Sequence, residues 1–329
     1  MQWLPLTPLK GAGVSKAAGI QPFRGSGGLL SSASRSVNIL ELFDKNTFQV
    51  RKAVSTSIDI LTQVFKNPNK STAHALLMAD LAKSAACAQP TAFHKLLRAL
   101  SCHGILGRTY TQNIDDLELK AGLTAVGEEP NCVQLHGSVM KVQCTQCDFA
   151  EHMHHHFSAL SLGQLPPCPK CEVWIERQKS EGKRIGSKGG LLCPAIILYG
   201  ESHPKSEDIE SMSVIDGSKA DNLLVVGTSL QTFGSVQLIK AILRDVRKRG
   251  GGVYYMNLAS PPANQVNVFD HVLQADCQDF AKHTLHHLEM AERKDSSAGM
   301  ENDKKKTDFA DLVETGRVCK DMCPSWNLA

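Results

Sequence analysis

Two cysteine pairs, "CTQC" at 144–147 and "CPKC" at 168–171, stand twenty residues apart and constrain this chain more than any other feature. Two C-x2-C knuckles at this separation place thiolates on both sides of a tetrahedron, a geometry zinc accepts without strain. Four sulfurs fill the coordination sphere and leave no position for water or substrate. The pattern therefore predicts a structural Zn2+ held by Cys144, Cys147, Cys168 and Cys171 in a small zinc-ribbon module. The chain carries eleven cysteines, an odd number, and opens without a secretory-type signal, which points to reduced thiols rather than a disulfide framework. "HMHHH" at 152–156, inside the module, reads as solvated surface.

A ribbon of this size needs a host. With 329 residues, 42% of them hydrophobic, the chain can bury a sizeable core. Three short apolar runs, "PAIILYGE", "NLLVVGTS" and "GVYYMNLA", read as buried strands of an open parallel α/β sheet. "YTQNID" at 110–115 reads as a further strand exit, with four hydrogen-bonding side chains where a turn needs one or two. Ligands of such sheets lie beyond the carboxyl ends of the strands. The polar exits "TQNID", "GE", "GTS" and "N" are thus expected to share one crevice. Residues 39–103 look mostly helical, broken near Pro68, and from Ala291 the composition turns charged and reads as a disordered tail.

Other classes are excluded or weakened. A net charge of +3 gives little footprint for nucleic acid, so no direct nucleic-acid binding is expected. No apolar run approaches the length of a membrane span. Residues 1–40 lack Asp and Glu, as transit peptides do, but cleavage past Gly11 would remove the glycine-rich turn "GAGVSKAAG". That turn can offer backbone N–H groups to a pyrophosphate, with a hydroxyl from Ser15. Lys16 stands where a full G-x-G-x-x-G fingerprint needs its third glycine, which argues against an ordinary dehydrogenase.

Taken in order, "GAGVSKAAGIQPFR", "TQNIDDLELKAG", "QLHGS", the cysteine pairs, "ILYGE", "VVGTSL" and "NLA" resemble the sirtuins, the NAD-dependent protein deacylases. "LYGESHP" and "GTSLQTFGSVQLIK" are similar to the fungal branch that deacetylates histone H3. The resemblance implies a Rossmann-like parallel-sheet domain with an inserted zinc module and a helical module. It divides the chain into residues 1–38 (start of the NAD-binding domain), 39–103 (helical module), 104–143 (sheet domain continued), 144–190 (zinc module), 191–290 (sheet domain completed) and 291–329 (tail).

The resemblance also implies roles. Gly11, Ala12, Gly13 and Ser15 would hold the pyrophosphate of NAD, and Phe23 and Arg24 would cover the nicotinamide. Gln112 and Asn113 would contact the nicotinamide ribose and Asp115 the carboxamide, with Ile114 between them on the cofactor side. Gly227, Thr228 and Ser229, together with Asn257 and Cys277, would line the adenosine side. His136 would be the general base, beside Asn113 and Asp115 as catalytic groups. Ile197, Leu198 and Tyr199 would line an acyl-lysine tunnel, and Gly200, Glu201 and Ser202 would pair with the substrate backbone. The implied partner is an acetylated protein lysine, as on a histone, and the implied compartment is the nucleus, with the cytoplasm second.

Three departures stand out. Gln21-Pro22 replaces an acidic position ahead of Phe23, Cys193 replaces an arginine, and the first strand, "WLPLTPLK", contains two prolines and ends in Lys10 instead of Thr or Ser. Proline is unsuited to a central strand. Pro22 and the irregular first strand keep in view an NAD-binding chromatin scaffold that has lost turnover, and the same cofactor cleavage with a different nucleophile keeps mono-ADP-ribosyl transfer as a second alternative.

Overall fold

A computed structural model describes residues 6–22, 68–127, 130–186, 189–197, 201 and 203–297. Among the described residues, the strands run in chain order: β1 (Leu6–Lys10), β2 (Thr109–Thr111), β3 (Cys132–Gln134), β4 (Gly137–Cys144), β5 (Ala150–His152), β6 (Leu192–Ile196), β7 (Asn222–Val226), β8 (Gly252–Asn257) and β9 (His271–Gln274). The helices are α1 (Pro68–Cys87), α2 (Ala92–Cys102), α3 (Leu117–Lys120), α4 (Phe157–Ser161), α5 (Pro169–Ser180), α6 (Ser206–Lys219), α7 (Phe233–Lys248) and α8 (Cys277–Ser297). Among the described residues, no helix is long and apolar enough to cross a membrane.

Six strands form one parallel sheet in the order β3-β2-β1-β7-β8-β9. The order reverses direction between β1 and β7, which makes their carboxyl ends the topological switch point where open sheets bind ligands. Alternation across β7 explains the layers. Leu224 and Val226 join Phe93, Leu96, Leu97 and Leu100 of α2 and Phe280, Ala281 and Leu288 of α8. Leu223 and Val225 face the other way, onto Ile239, Ile242 and Val246 of α7. The α2 set follows the i, i+3, i+4, i+7 spacing of one helix face, and each such side chain contributes about 1.5–3 kcal/mol on burial.

The remaining strands form a three-stranded sheet, β5-β4-β6, with both pairs antiparallel. This corrects the reading of "PAIILYGE" as a strand of the parallel sheet. Strand β6 lies along β4, under the small-residue face of α1, where Ala75, Met78, Ala79 and Ala82 pack with Val139, Val142, Leu192 and Ile196. An apolar run buried on both sides looks the same in either sheet. Pro194 sits where the β4–β6 register shifts between Ser138 and Val142, so no ladder donor is missed.

Pro8 is a second correction, because β1 is a central strand. Leu6 and Lys10 both face the β2 side, through Leu6 N–H to the Ile105 carbonyl and Gln112 N–H to the Lys10 carbonyl. By alternation Pro8 faces the same side. Between the pairs Leu6↔Leu106 and Lys10↔Thr111, β1 advances four residues and its neighbour five. The proline therefore occupies a bulge, one of the places where a sheet tolerates it. A third correction concerns the tail, since α8 continues through Ser297, past the composition change at Ala291.

Candidate active site

The switch point is closed by glycines. Gly11 donates to the Val226 carbonyl (3.0 Å), Gly13 to the Gly227 carbonyl (2.8 Å) and Gly227 to the Met256 carbonyl (3.0 Å). A methyl group on Gly11 would stand 2.7 Å from Thr228 Cβ, and one on Gly13 2.9 Å from Gly227 Cα. Gly227 also has φ +62, a conformation that favours glycine. The chain then makes two 3-10 turns, Ala12–Val14 and Lys16–Ala18.

The polar exit of β2 docks on this loop. Asn113 donates from Nδ2 to Ser15 Oγ (2.7 Å), while its backbone N–H goes to Thr111 Oγ1 (3.0 Å). Gln112 accepts from Thr228 Oγ1 at Oε1 (3.1 Å), and its buried Nε2 has no partner among the described residues. Asn257 donates to the Tyr255 hydroxyl (3.0 Å), which donates to the Thr228 carbonyl (2.8 Å). Ser229 is exposed at the rim and Cys277 is buried at the start of α8, its thiol raised to about 11 by burial. A glycine cradle with an orphaned amide donor beside it fits a phosphate and hydroxyl-bearing ligand. Ile114, between Asn113 and Asp115, is partly buried and packs against the α1–β4 core.

Asp115 is buried below this surface. Its Oδ1 accepts from Leu117 N–H (3.1 Å), and Asp116, at φ 57, turns the chain into α3. Burial raises the Asp115 carboxyl, Glu118 raises it further, and Lys10 and a bond from Ser15 oppose the rise. His94, Asp115 and Glu118 have the mutual spacing of a metal site, yet Lys10 lies among them, ion-paired with Glu118 and 2.9 Å from His94 Nε2. The ammonium fills the position a cation would take. Sequence reasoning missed this group, and the capping-box spacing of Thr91 and His94 was the one local signal.

His136 links β3 to β4. Its carbonyl accepts from Ile197 N–H (3.0 Å), which brings the base candidate and the tunnel candidate together. Gly137 follows at φ +77, and a Cβ there would run into the Ala195 carbonyl, which explains the glycine of "LHG". Burial lowers the imidazole of His136 below its ordinary value, as does His203 more weakly, against a bond at Leu135. His136 is accordingly neutral at pH 7 and able to accept a proton. Glu201 is half-buried nearby in sequence, while Phe23, Arg24, Leu198, Tyr199, Gly200 and Ser202 lie outside the described residues.

The four cysteines do converge. Sγ–Sγ separations are 3.7 Å for Cys144–Cys171 and 3.6 Å for both Cys147–Cys168 and Cys147–Cys171. A tetrahedron with Zn–S bonds of about 2.3 Å has edges of about 3.8 Å, so the residues fit zinc. N–H groups of Gln146 and Cys147 point at Cys144 Sγ (3.3 and 3.4 Å), and a side chain on Gly190 would strike that sulfur. Of the neighbouring histidines, His152, His154 and His155 are exposed, as expected of a solvated run, whereas His156 pairs with Glu151.

Comparison with known proteins gives one answer. The Sir2 family model matches residues 11–234. The NAD-dependent histone deacetylase HST3 of Saccharomyces cerevisiae is 33% identical over 292 residues, covering 83% of this chain and 62% of that protein. The NAD-dependent protein deacetylase hst4 of Schizosaccharomyces pombe is 32% identical over 280 residues, covering 82% of this chain and 63% of that one. The chain thus spans about three fifths of the length of these relatives. A solved Sir2 homologue in complex with NAD superposes with a TM-score of 0.59 at 25% identity, covering 87% of this chain and 90% of the other.

Proposed function

Because the chain belongs to the Sir2 family, we propose that it is an NAD-dependent deacetylase of protein lysines, passing the acetyl group to ADP-ribose with release of nicotinamide. The observation that carries this reading is the placement of two chemically distinct sets on adjoining strand ends. The glycine cradle and Gln112–Asn113–Asp115 form one set, and a neutral His136 bonded to Ile197 forms the other. Bound NAD would supply a labile nicotinamide–ribose bond and the ribose that receives the acetyl group. Gln112, through its unpartnered Nε2, and Asn113 would hold ribose oxygens, while Asp115 would accept from the carboxamide. His136 would take a ribose hydroxyl proton, a task open to an imidazole that burial keeps neutral at pH 7. Ile197 brings no charge, so a neutral acetyl-lysine suits that side better than a bare ammonium.

Histone tails are the proposed substrate class and the nucleus the proposed compartment, in line with the names of the fungal relatives. The scaffold alternative loses one of its two arguments, since β1 is paired on both sides despite Pro8. Mass spectrometry of products from NAD with acetylated or unmodified histone H3 peptide tests the reading. Equal amounts of nicotinamide, deacetylated peptide and acetylated ADP-ribose are expected from the acetylated peptide alone. ADP-ribosylated peptide would establish the transferase instead, and NAD binding without turnover the scaffold.

A further inference from the structure

Lys10 is fully buried at the end of β1, immediately before Gly11. Its carbonyl accepts from Gln112 N–H (3.0 Å), and its ammonium pairs with Glu118 and donates to His94 Nε2 (2.9 Å). An ammonium has donors only, so the imidazole accepts at Nε2. Its Nδ1 accepts from Thr91 N–H (3.2 Å) and lies 2.8 Å from Thr91 Oγ1, and the Thr91 hydroxyl reaches the Val14 carbonyl (3.4 Å). Gln278 Nε2 donates to the same carbonyl (2.9 Å). One lysine thereby grips the segment 112–118 at both ends, by its carbonyl at Gln112 and by its ammonium at Glu118.

Asp115 lies inside that grip. Asp115 and Glu118 place carboxylate oxygens within 4.8 Å of each other, at 4% and 1% exposure. Two buried carboxylates this close resist joint ionisation unless a cation is shared between them. Among the described residues, Lys10 is the cation in contact with the group. Resting on the function proposed above, we propose that Lys10 is a positioning residue for the nicotinamide half of the site, neutralising Glu118 and holding Gln112–Asp115 in register for the carboxamide. Lys10 touches no ligand itself. Its effect reaches the ligand through the shape and charge of the segment it grips.

The test uses the full chain, with calorimetric binding of ADP-ribose and then of nicotinamide to the ADP-ribose-loaded protein, so that it requires no turnover. Lys10→Met is expected to weaken nicotinamide by about ten-fold or more, about 1.4 kcal/mol, with ADP-ribose affinity held within about three-fold. Such a split is not the signature of general loosening, which would weaken both ligands together. Adding Glu118→Gln removes the uncompensated carboxylate and is expected to return nicotinamide affinity close to wild type. If Lys10→Met alone fails to fold, the double variant carries the test. Unchanged nicotinamide affinity in Lys10→Met, equal loss of both ligands, or a folded double variant that still binds nicotinamide poorly overturns the role of Lys10. A wild-type protein that binds both ligands but never deacetylates leaves this role testable while refuting the proposed activity. A wild-type protein that binds ADP-ribose but no nicotinamide overturns the assignment of Asp115 and the role of Lys10 with it.

Discussion

Removing one zinc ligand should disable chemistry at a distance, and Cys168→Ala makes the case quantitative. The Cys168 side chain is fully buried, its Sγ lies 3.6 Å from Cys147 Sγ, and its N–H is bonded to the Gly190 carbonyl (2.9 Å) at the entry to β6. Apparent zinc free energies in Cys-rich modules are about 10–16 kcal/mol, as large as the about 5–15 kcal/mol that holds a whole domain folded. A three-sulfur remnant therefore leaves the ribbon without its main stabilising term. Cys144 ends β4 and Gly137 begins it, about 24 Å apart at about 3.4 Å per residue. His136 adjoins the far end of that strand, and β6 runs back alongside to Ile197. Loss of metal should unpin both strands and with them the bond from Ile197 to His136. The assay pairs zinc release to a chromogenic chelator with NAD-dependent deacetylation. Cys193→Ala serves as control, since Cys193 is buried in β6 but lies outside the four-sulfur group. Cys168→Ala should lose zinc and activity together while Cys193→Ala keeps its zinc. A metal-free Cys168→Ala protein with wild-type activity would refute the reasoning.

Tyr110→Phe removes a buried 2.5 Å hydrogen bond to Asp216, whose other carboxylate oxygen pairs with Arg108 at 2.7 Å. Bonds to a charged group are worth about 1.5–3 kcal/mol, so urea unfolding should show a loss of that order, and a change within error would remove the pair from the account. The buried His74, lowered from 6.5 to about 4 by desolvation, gives a pH dependence with a definite sign. Above 6.5 it is neutral folded or unfolded, whereas at lower pH the unfolded chain binds a proton that the native state refuses until about pH 4. Its contribution is thus complete above 6.5 and falls with pH, by about 2 kcal/mol at pH 5. Urea titrations at pH 7 and pH 5 should show a smaller difference in His74→Gln than in wild type, and equal differences would contradict the assignment.

What the sequence disclosed was mostly local. Cysteine spacing disclosed the metal cluster because both knuckles are short-range patterns that fix thiolate geometry. The strand exits of β2, β7 and β8 were readable because each joins an apolar run to small or polar residues, and Asn113, Thr228 and Asn257 do meet at one crevice. Long-range pairing was not readable. Nothing local to "PAIIL" reports that its partner is β4, and nothing around Pro8 reports the extra residue opposite it. Lys10, His94 and Glu118 are separated by 84 and 24 residues along the chain, so their contact exists only in the fold. Even the run "TQNID" had two explanations at once. Thr111 and Asp115 bond local backbone as turn residues do, whereas Asn113 reaches across to Ser15.

The central claim is that the exit of β2 and the turn at His136 serve successive steps of one reaction. Labelled-nicotinamide exchange into NAD, measured beside deacetylation of an acetylated histone peptide, separates those steps on wild type, Asn113→Ala and His136→Ala. Asn113→Ala should lose both reactions, because it positions the ribose while the nicotinamide bond breaks. His136→Ala should lose deacetylation by about 10²- to 10⁴-fold, the range of a positioned general base, while retaining peptide-dependent exchange. Deacetylation at the wild-type rate in His136→Ala, or normal exchange in Asn113→Ala, would contradict the account.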